Sequence, residues 1–275
     1  MVDSERLHLS QVAVLIPALN ESLRIREVAQ GALTFCPNVI VVDDGSTDGT
    51  AECIADLPVI VLRHPQRRGK GECLRRGFRE ALERGFRGVL TMDGDGQHCA
   101  DDLPRLLDSA NRHPDLIVIG ARLRKRNQQP AYRRLANEAG DWGVAWGTGY
   151  QLCDSQSGQR FYPGAVIALQ DVPGEDFVFE AQILISAART LGTRCVSVPI
   201  ESRYRCVDRD EAFRPSHFRP FVDLYRIVRH IVSQVIRHGN VAKIRRSIRN
   251  NPPLIDDASD ESGVTAAAQP AREVT

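Results

Sequence analysis

Five short, continuously apolar runs separated by stretches of helix length constrain this chain more than any other feature. They fall at residues 12–16, 39–42, 58–62, 88–92 and 116–119. A run that is apolar without alternation is expected of a strand buried on both faces, as in a parallel sheet. The stretches between them suit helices at about 20–33, 69–84 and 101–112, with Asn20 or Ser22 as the cap of the first. Strands alternating with helices of this length indicate βαβ units, so the expected class is α/β with a mostly parallel central sheet. With 42% hydrophobic residues, the 275-residue chain can bury one sizeable core, in one or two domains.

Ligands of such sheets bind beyond the carboxyl ends of the strands. Three loops at those ends, residues 17–21, 43–50 and 93–98, are polar and carry carboxylates. The last contains Asp93-Gly94-Asp95 directly after an apolar run. Residues two apart in a strand point to the same side, so both carboxylates can aim beyond the strand end. Paired hard oxygen ligands suit Mg²⁺ or Mn²⁺. An isolated Asp-x-Asp would read as a plain turn. Acid-bearing loops at neighbouring strand ends favour one composite site instead.

Beyond residue 121 the pattern dissolves. Arg122, Arg124, Lys125 and Arg126 cluster, and glycine recurs at 140, 143, 147 and 149. Trp142 and Trp146 lie four apart, as two core aromatics or as a lid or acceptor platform. Next come Asp154-Ser155-Gln156-Ser157-Gly158, a helix at 177–190 carrying Glu180, and a strand at 194–199. An amphipathic helix is expected at 217–237, with Phe221, Leu224, Tyr225, Val228, Ile231, Val232 and Val235 on one stripe. Basic residues continue to Arg249, and from 251 the composition reads as a disordered tail. The expected organisation is an N-terminal extension (1–10), a catalytic domain (11–215), a basic amphipathic helical segment (216–250) and a tail (251–275).

Net charge is +1, so no global field points to nucleic acid. Seven scattered cysteines without a C-x-x-C indicate a reduced, cytoplasmic chain. The first ten residues are no signal peptide, and no run reaches the roughly 20 apolar residues of a spanning helix. The expectation is a soluble protein or one lying on the cytoplasmic face of a membrane. There the stripe at 221–237 and Lys243, Arg245, Arg246 and Arg249 would meet anionic lipid.

Together, Val14-Leu15-Ile16-Pro17-Ala18-Leu19-Asn20-Glu21, Val41-Val42-Asp43-Asp44-Gly45-Ser46-Thr47-Asp48-Gly49-Thr50, Gly69-Lys70-Gly71 and Asp93-Gly94-Asp95-Gly96-Gln97 resemble family 2 glycosyltransferases. The subgroup they are most similar to transfers sugars to dolichyl or polyprenyl phosphate. The resemblance spans about residues 12–200 and implies a GT-A fold binding a nucleotide-diphosphate sugar. It places Pro17, Leu19 and Glu21 around base and ribose and Asp44 on the base. It places Asp93, Asp95 and Gln97 on the metal, and Lys70 and Arg122 near the phosphates. Asp154 matches the acceptor-side Asp-x-x-Ser/Thr-Gly segment, where Gln159 stands in place of the usual aromatic. Glu180 matches the acid of a Phe-x-x-Glu helix. Where relatives carry a Ser-Lys pair, this chain has Ser216-His217, without the lysine.

The resemblance implies inversion: an acceptor oxygen attacks the anomeric carbon opposite the leaving nucleoside diphosphate. A hydroxyl acceptor needs a base, for which Asp154 is the candidate; a lipid phosphate is already anionic and needs none. Two rivals stand beside this reading. A sugar-phosphate nucleotidyltransferase would carry a glycine-rich loop after the first strand, where Pro17 to Glu21 offer none. A non-catalytic nucleotide-sugar binder would not need the acids at 44, 93 and 95.

Overall fold

The computed structural model describes residues 6–124, 131–169, 172–201, 229, 241–257 and 265–266. Among them nine strands form one sheet in the order β3-β2-β1-β4-β6-β5-β7-β8-β9. The strands are β1 (Val12–Ala18), β2 (Val39–Asp43), β3 (Ile60–Arg63), β4 (Gly88–Thr91), β5 (Ile117–Arg124), β6 (Arg160–Pro163), β7 (Cys195–Glu201), β8 (Leu254–Ile255) and β9 (Thr265–Ala266). The helices are α1 (Ile25–Phe35), α2 (Lys70–Glu83), α3 (Leu103–Arg112), α4 (Ala131–Thr148), α5 (Gly164–Ile167), α6 (Asp176–Thr190) and α7 (Val241–Asn250). Strand β1 pairs in parallel with β2 and β4, and β2 with β3.

The unbroken apolar runs have a direct cause. Ala13 and Leu15 of β1 enter a core built with Leu74 and Phe78 of α2 and Phe179 and Ile183 of α6. Val12, Val14 and Ile16 enter a second core with Ile25 and Val28 of α1 and Leu103 and Leu106 of α3. Both faces of the strand are covered, so every position is apolar. Each fully buried aliphatic side chain contributes roughly 1.5–3 kcal/mol. Strand β6 differs: it runs antiparallel between β4 and β5.

Several expectations are corrected. Helix α1 starts at Ile25, and neither Asn20 nor Ser22 caps it. Asn20 has φ +54, and its side-chain oxygen accepts the Thr47 amide at 3.0 Å. It clasps two loops instead of ending a helix. The stretch read as irregular after 121 contains the 18-residue helix α4. Trp142 is not a core aromatic, because 67% of it is exposed. The tail read as disordered from 251 is structured at first: β8 pairs in parallel with β7. Beside it, buried Asp256 accepts Ser109 Oγ at 2.6 Å and Arg112 Nη2 at 2.7 Å. The helix expected at 217–237 lies outside the described residues apart from Arg229, while its basic continuation forms α7.

Candidate active site

The carboxyl ends of β1, β2 and β4 bring the acid-bearing loops into one place. The amides of Asn20 and Glu21 donate to Ser46 Oγ and Thr50 Oγ1, each at 2.9 Å. The Ser22 amide donates to Asp48 Oδ2 at 3.0 Å. A methyl on Gly45, at φ +74, would overlap the Gln66–Arg67 backbone, so the loop after β2 lies against the connection between β3 and α2. Only glycine holds that conformation at such close approach without strain. Around this junction Gly45, Ser46, Thr47, Arg63, His64 and Pro65 line an open cleft of about 390 Å³.

Asp44 organises the turn into α2. Its Oδ1 accepts the Arg68 amide at 2.8 Å and lies 2.9 Å from His64 Nδ1, and its Oδ2 accepts the Gly69 amide at 2.8 Å. Pro17 is buried, while Leu19 and Glu21 are half-buried at the end of β1. The Gly94 position lies against the Pro17 carbonyl and Ala18, so the first loop borders the Asp-Gly-Asp loop.

Lys70 opens α2 and joins two distant parts of the sequence. Its ammonium lies 2.7 Å from Asp93 Oδ1 and 3.1 Å from Glu180 Oε1. Glu180, which is buried, thus shares the ammonium of Lys70 with Asp93. Burial alone would raise the Asp93 carboxyl, but the charges of Lys70 and His98 outweigh it and bring its pKa to about 2. Asp95 is pushed the other way, by burial and by the charge of Asp93. Its Oδ1 accepts the amide of exposed Gln97 at 3.0 Å, and its carbonyl accepts Arg24 Nη1 at 3.0 Å. Two half-buried hard oxygen donors that repel each other fit a divalent cation, which would relieve that repulsion.

The segment 154–158 lies against Asp93. A side chain at Gly158 would displace the Asp93 carboxylate from its place beside Lys70, so the glycine leaves room for that pair. Asp154 does not sit as a free base would. Its Oδ2 accepts Arg122 N and Nε, both at 2.8 Å, and its Oδ1 accepts Arg122 Nη2 at 2.6 Å. Burial opposes ionisation, yet Arg122 outweighs it and lowers the Asp154 pKa. A general base works best with a pKa near the operating pH. The pairing instead aims the guanidinium.

Two residues of this region escaped the sequence reading. Arg160, at 0% exposure, donates to the carbonyls of Ser155, Ser157 and Glu180 and to the Tyr162 hydroxyl. It ties the acceptor-side segment to α6. Asp141 on α4 accepts the amides of Asp154 at 2.9 Å and Ser155 at 2.6 Å. Burial raises its pKa to about 6, against the hydrogen bonds from Ser155.

That value makes stability depend on pH. Folded, Asp141 keeps its proton up to about pH 6, while the unfolded carboxyl releases it near 3.8. Within that window the unfolded state binds fewer protons, so this contribution is lost as pH rises through it. Asp141→Asn has no such proton to lose. The urea midpoint of the wild type should fall relative to the variant between about pH 4 and 6.5, then run level. A constant gap across that range would make Asp141 an ordinary carboxylate.

Residues 13–169 match the family described as Glycosyl transferase family 2. The chain belongs to this family. It is 33% identical over 207 residues to the undecaprenyl-phosphate mannosyltransferase of Micrococcus luteus, the match covering 69% of this chain and 82% of that one. It is 30% identical over 173 residues to the UDP-N-acetylglucosamine–dolichyl-phosphate N-acetylglucosaminyltransferase of Methanococcus voltae, covering 55% and 68%. The fold is shared with glucosyl-3-phosphoglycerate synthase from Mycobacterium tuberculosis, solved with Mn²⁺, UDP and glucosyl-3-phosphoglycerate. That likeness has a TM-score of 0.55 at 20% identity and covers 83% of this chain and 79% of that one. This family 2 member is thus a glycosyltransferase of GT-A fold, and the nucleotidyltransferase reading falls away.

Proposed function

We propose that the enzyme transfers a sugar, with inversion, from a nucleoside-diphosphate sugar to a lipid phosphate of the polyprenyl type. The observation that carries the acceptor class is the state of the carboxylates. Asp154 is committed to Arg122 and Glu180 to Lys70. Neither is poised to take a proton from a hydroxyl, whereas a phosphate oxygen already carries the charge needed for attack. Relatives named for lipid-phosphate acceptors support the same class.

In this reading the nucleotide lies along Pro17, Leu19 and Glu21 and the cleft beside Gly45. Asp44 Oδ2 accepts one amide and, as a carboxylate oxygen, can accept a second donor from the base. Asp93 and Asp95, with Gln97 directly or through water, would hold Mg²⁺ or Mn²⁺, which would supply Lewis-acid charge to the leaving diphosphate. Lys70, fixed by Asp93 and Glu180, presents a cation beside the same phosphates. Arg122, aimed by Asp154, meets the acceptor phosphate with a planar fork of donors. Arg160 and Asp141 hold the segment that carries Asp154. The protein's own work is positioning and preorganised charge.

The test is transfer from a panel of nucleotide sugars with Mn²⁺ to a short-chain polyprenyl phosphate and to the matching alcohol in detergent. Transfer to the phosphate and not the alcohol is expected. Transfer to the alcohol alone would overturn the acceptor class and require a base.

A further inference from the structure

The chain has two tryptophans, and they stand together on α4 with ring centroids 5.8 Å apart. Trp142 is the most exposed large apolar side chain among the described residues. The neighbouring positions Gly143, Val144 and Gly147 are buried, and a methyl on Gly147 would run into Ile185 of α6. The tryptophan pair therefore occupies the side of α4 turned away from the core. Tryptophan combines a large apolar face with one polar N–H, which suits a boundary between water and apolar matter.

A basic helix sits beside it. Helix α7 docks on the end of α4, with Gln151 N donating to the Asn251 carbonyl at 2.9 Å and Gln151 Nε2 to the Ile248 carbonyl at 3.2 Å. Ile244, Ser247 and Ile248 are half-buried, while Lys243, Arg245, Arg246 and Arg249 are exposed. The helix contains no acid; along α4 the acids nearest the tryptophans are half-buried Asp141 and exposed Glu138, one turn before Trp142. The residue preceding Trp142 is Asp141, whose carboxylate holds the Asp154 and Ser155 amides. The aromatic pair is thus adjacent to the acceptor-side segment.

From this placement we propose that Trp142, Trp146 and α7 form the face by which the enzyme lies on an anionic bilayer. The proposal rests on the lipid-phosphate reading above and gives it a direction. The acceptor's head group would reach Arg122 from the side on which the tryptophans enter the lipid. Apolar insertion and cation attraction add: each Lys or Arg near an anionic surface strengthens partitioning roughly fivefold at low salt. That contribution decays within a Debye length of about 10 Å at 0.1 M salt.

Because all tryptophan emission comes from this pair, the full-length protein reports on its own docking. The probes are phosphatidylcholine vesicles with and without phosphatidylglycerol. Anionic vesicles at low salt should shift the emission to the blue, and brominated acyl chains should quench it. High salt, or Lys243→Gln, Arg245→Gln, Arg246→Gln and Arg249→Gln together, should reverse both effects. Trp142→Ser should weaken cosedimentation about tenfold. Emission unchanged by anionic vesicles at low salt would overturn the proposal. So would a blue shift that follows protein concentration without lipid, which would make the face a contact between two copies. Transfer to detergent-solubilised polyprenyl phosphate, measured in parallel, separates the two readings. If transfer persists while vesicle binding is absent, only the membrane face is lost. If vesicle binding holds while transfer fails, the acceptor reading is lost.

Discussion

Asp95→Asn should lower sugar transfer about 100-fold or more and leave the fold at least as stable as before. The loss follows from removing one anionic ligand from a site that would hold a hard dication, whose charge stabilisation is worth several kcal/mol. The retained stability follows from electrostatics. Asp95 is raised by burial and by the neighbouring charge of Asp93, so its ionised form is disfavoured in the folded protein. A neutral amide removes that repulsion. Asp93→Asn should match the loss of transfer but carry a cost of about 1–2 kcal/mol, because Lys70 loses the nearer of its two carboxylates. The two half-buried neighbours thus separate by urea denaturation while agreeing in turnover. Mn²⁺ affinity, read by calorimetry with UDP, should fall in both. Full activity of either variant, or of the wild type in excess EDTA, would remove the metal from these carboxylates.

The parts of the fold that were legible share one physical cause. Strands β1, β2 and β4 are buried throughout, so their sequences are apolar except where Asp43 and Thr91 end β2 and β4. Strand β6 hid because it begins with a fully buried arginine, which no hydropathy pattern announces. Helix α4 hid because Gly143 and Gly147 stand among its inward positions, beside Val144 and Ala145, where leucines would have made the stripe plain. A methyl at Gly140 would meet Gln156, and one at Gly147 would meet Ile185, so close packing removed the apolar stripe that marks a helix. The spacing 140, 143, 147 is itself a helical period, and it was the available signal. Asn20 misled for a related reason: a residue suited to capping is equally suited to a left-handed turn. At the site, the motif acids stood in the sequence beside their strands. Asp141 and Arg160 act through backbone groups of other segments, so their partners became visible only once the chain was folded.

Asp154 and Arg122 offer the sharpest separation between a base and an acceptor cradle. Asp154 is buried and Arg122 half-buried, with side-chain exposures of 7% and 20%. Arg122→Ala would leave the Asp154 carboxylate buried without its cation, at a cost of about 3 kcal/mol of stability measured by urea denaturation. Arg122→Lys restores the charge but not the two-pronged geometry, so it should recover most of the stability and little of the transfer. Asp154→Asn keeps the shape and removes the charge that aims the guanidinium. If Arg122 receives the acceptor phosphate, this variant should raise KM for the lipid phosphate at least tenfold. KM for the nucleotide sugar should be unchanged, and so should the shape of the pH profile of kcat. A base would behave otherwise: kcat would collapse, its acidic limb would vanish, and acceptor KM would stay put. That second pattern would return Asp154 to proton transfer and, with it, make a hydroxyl the acceptor.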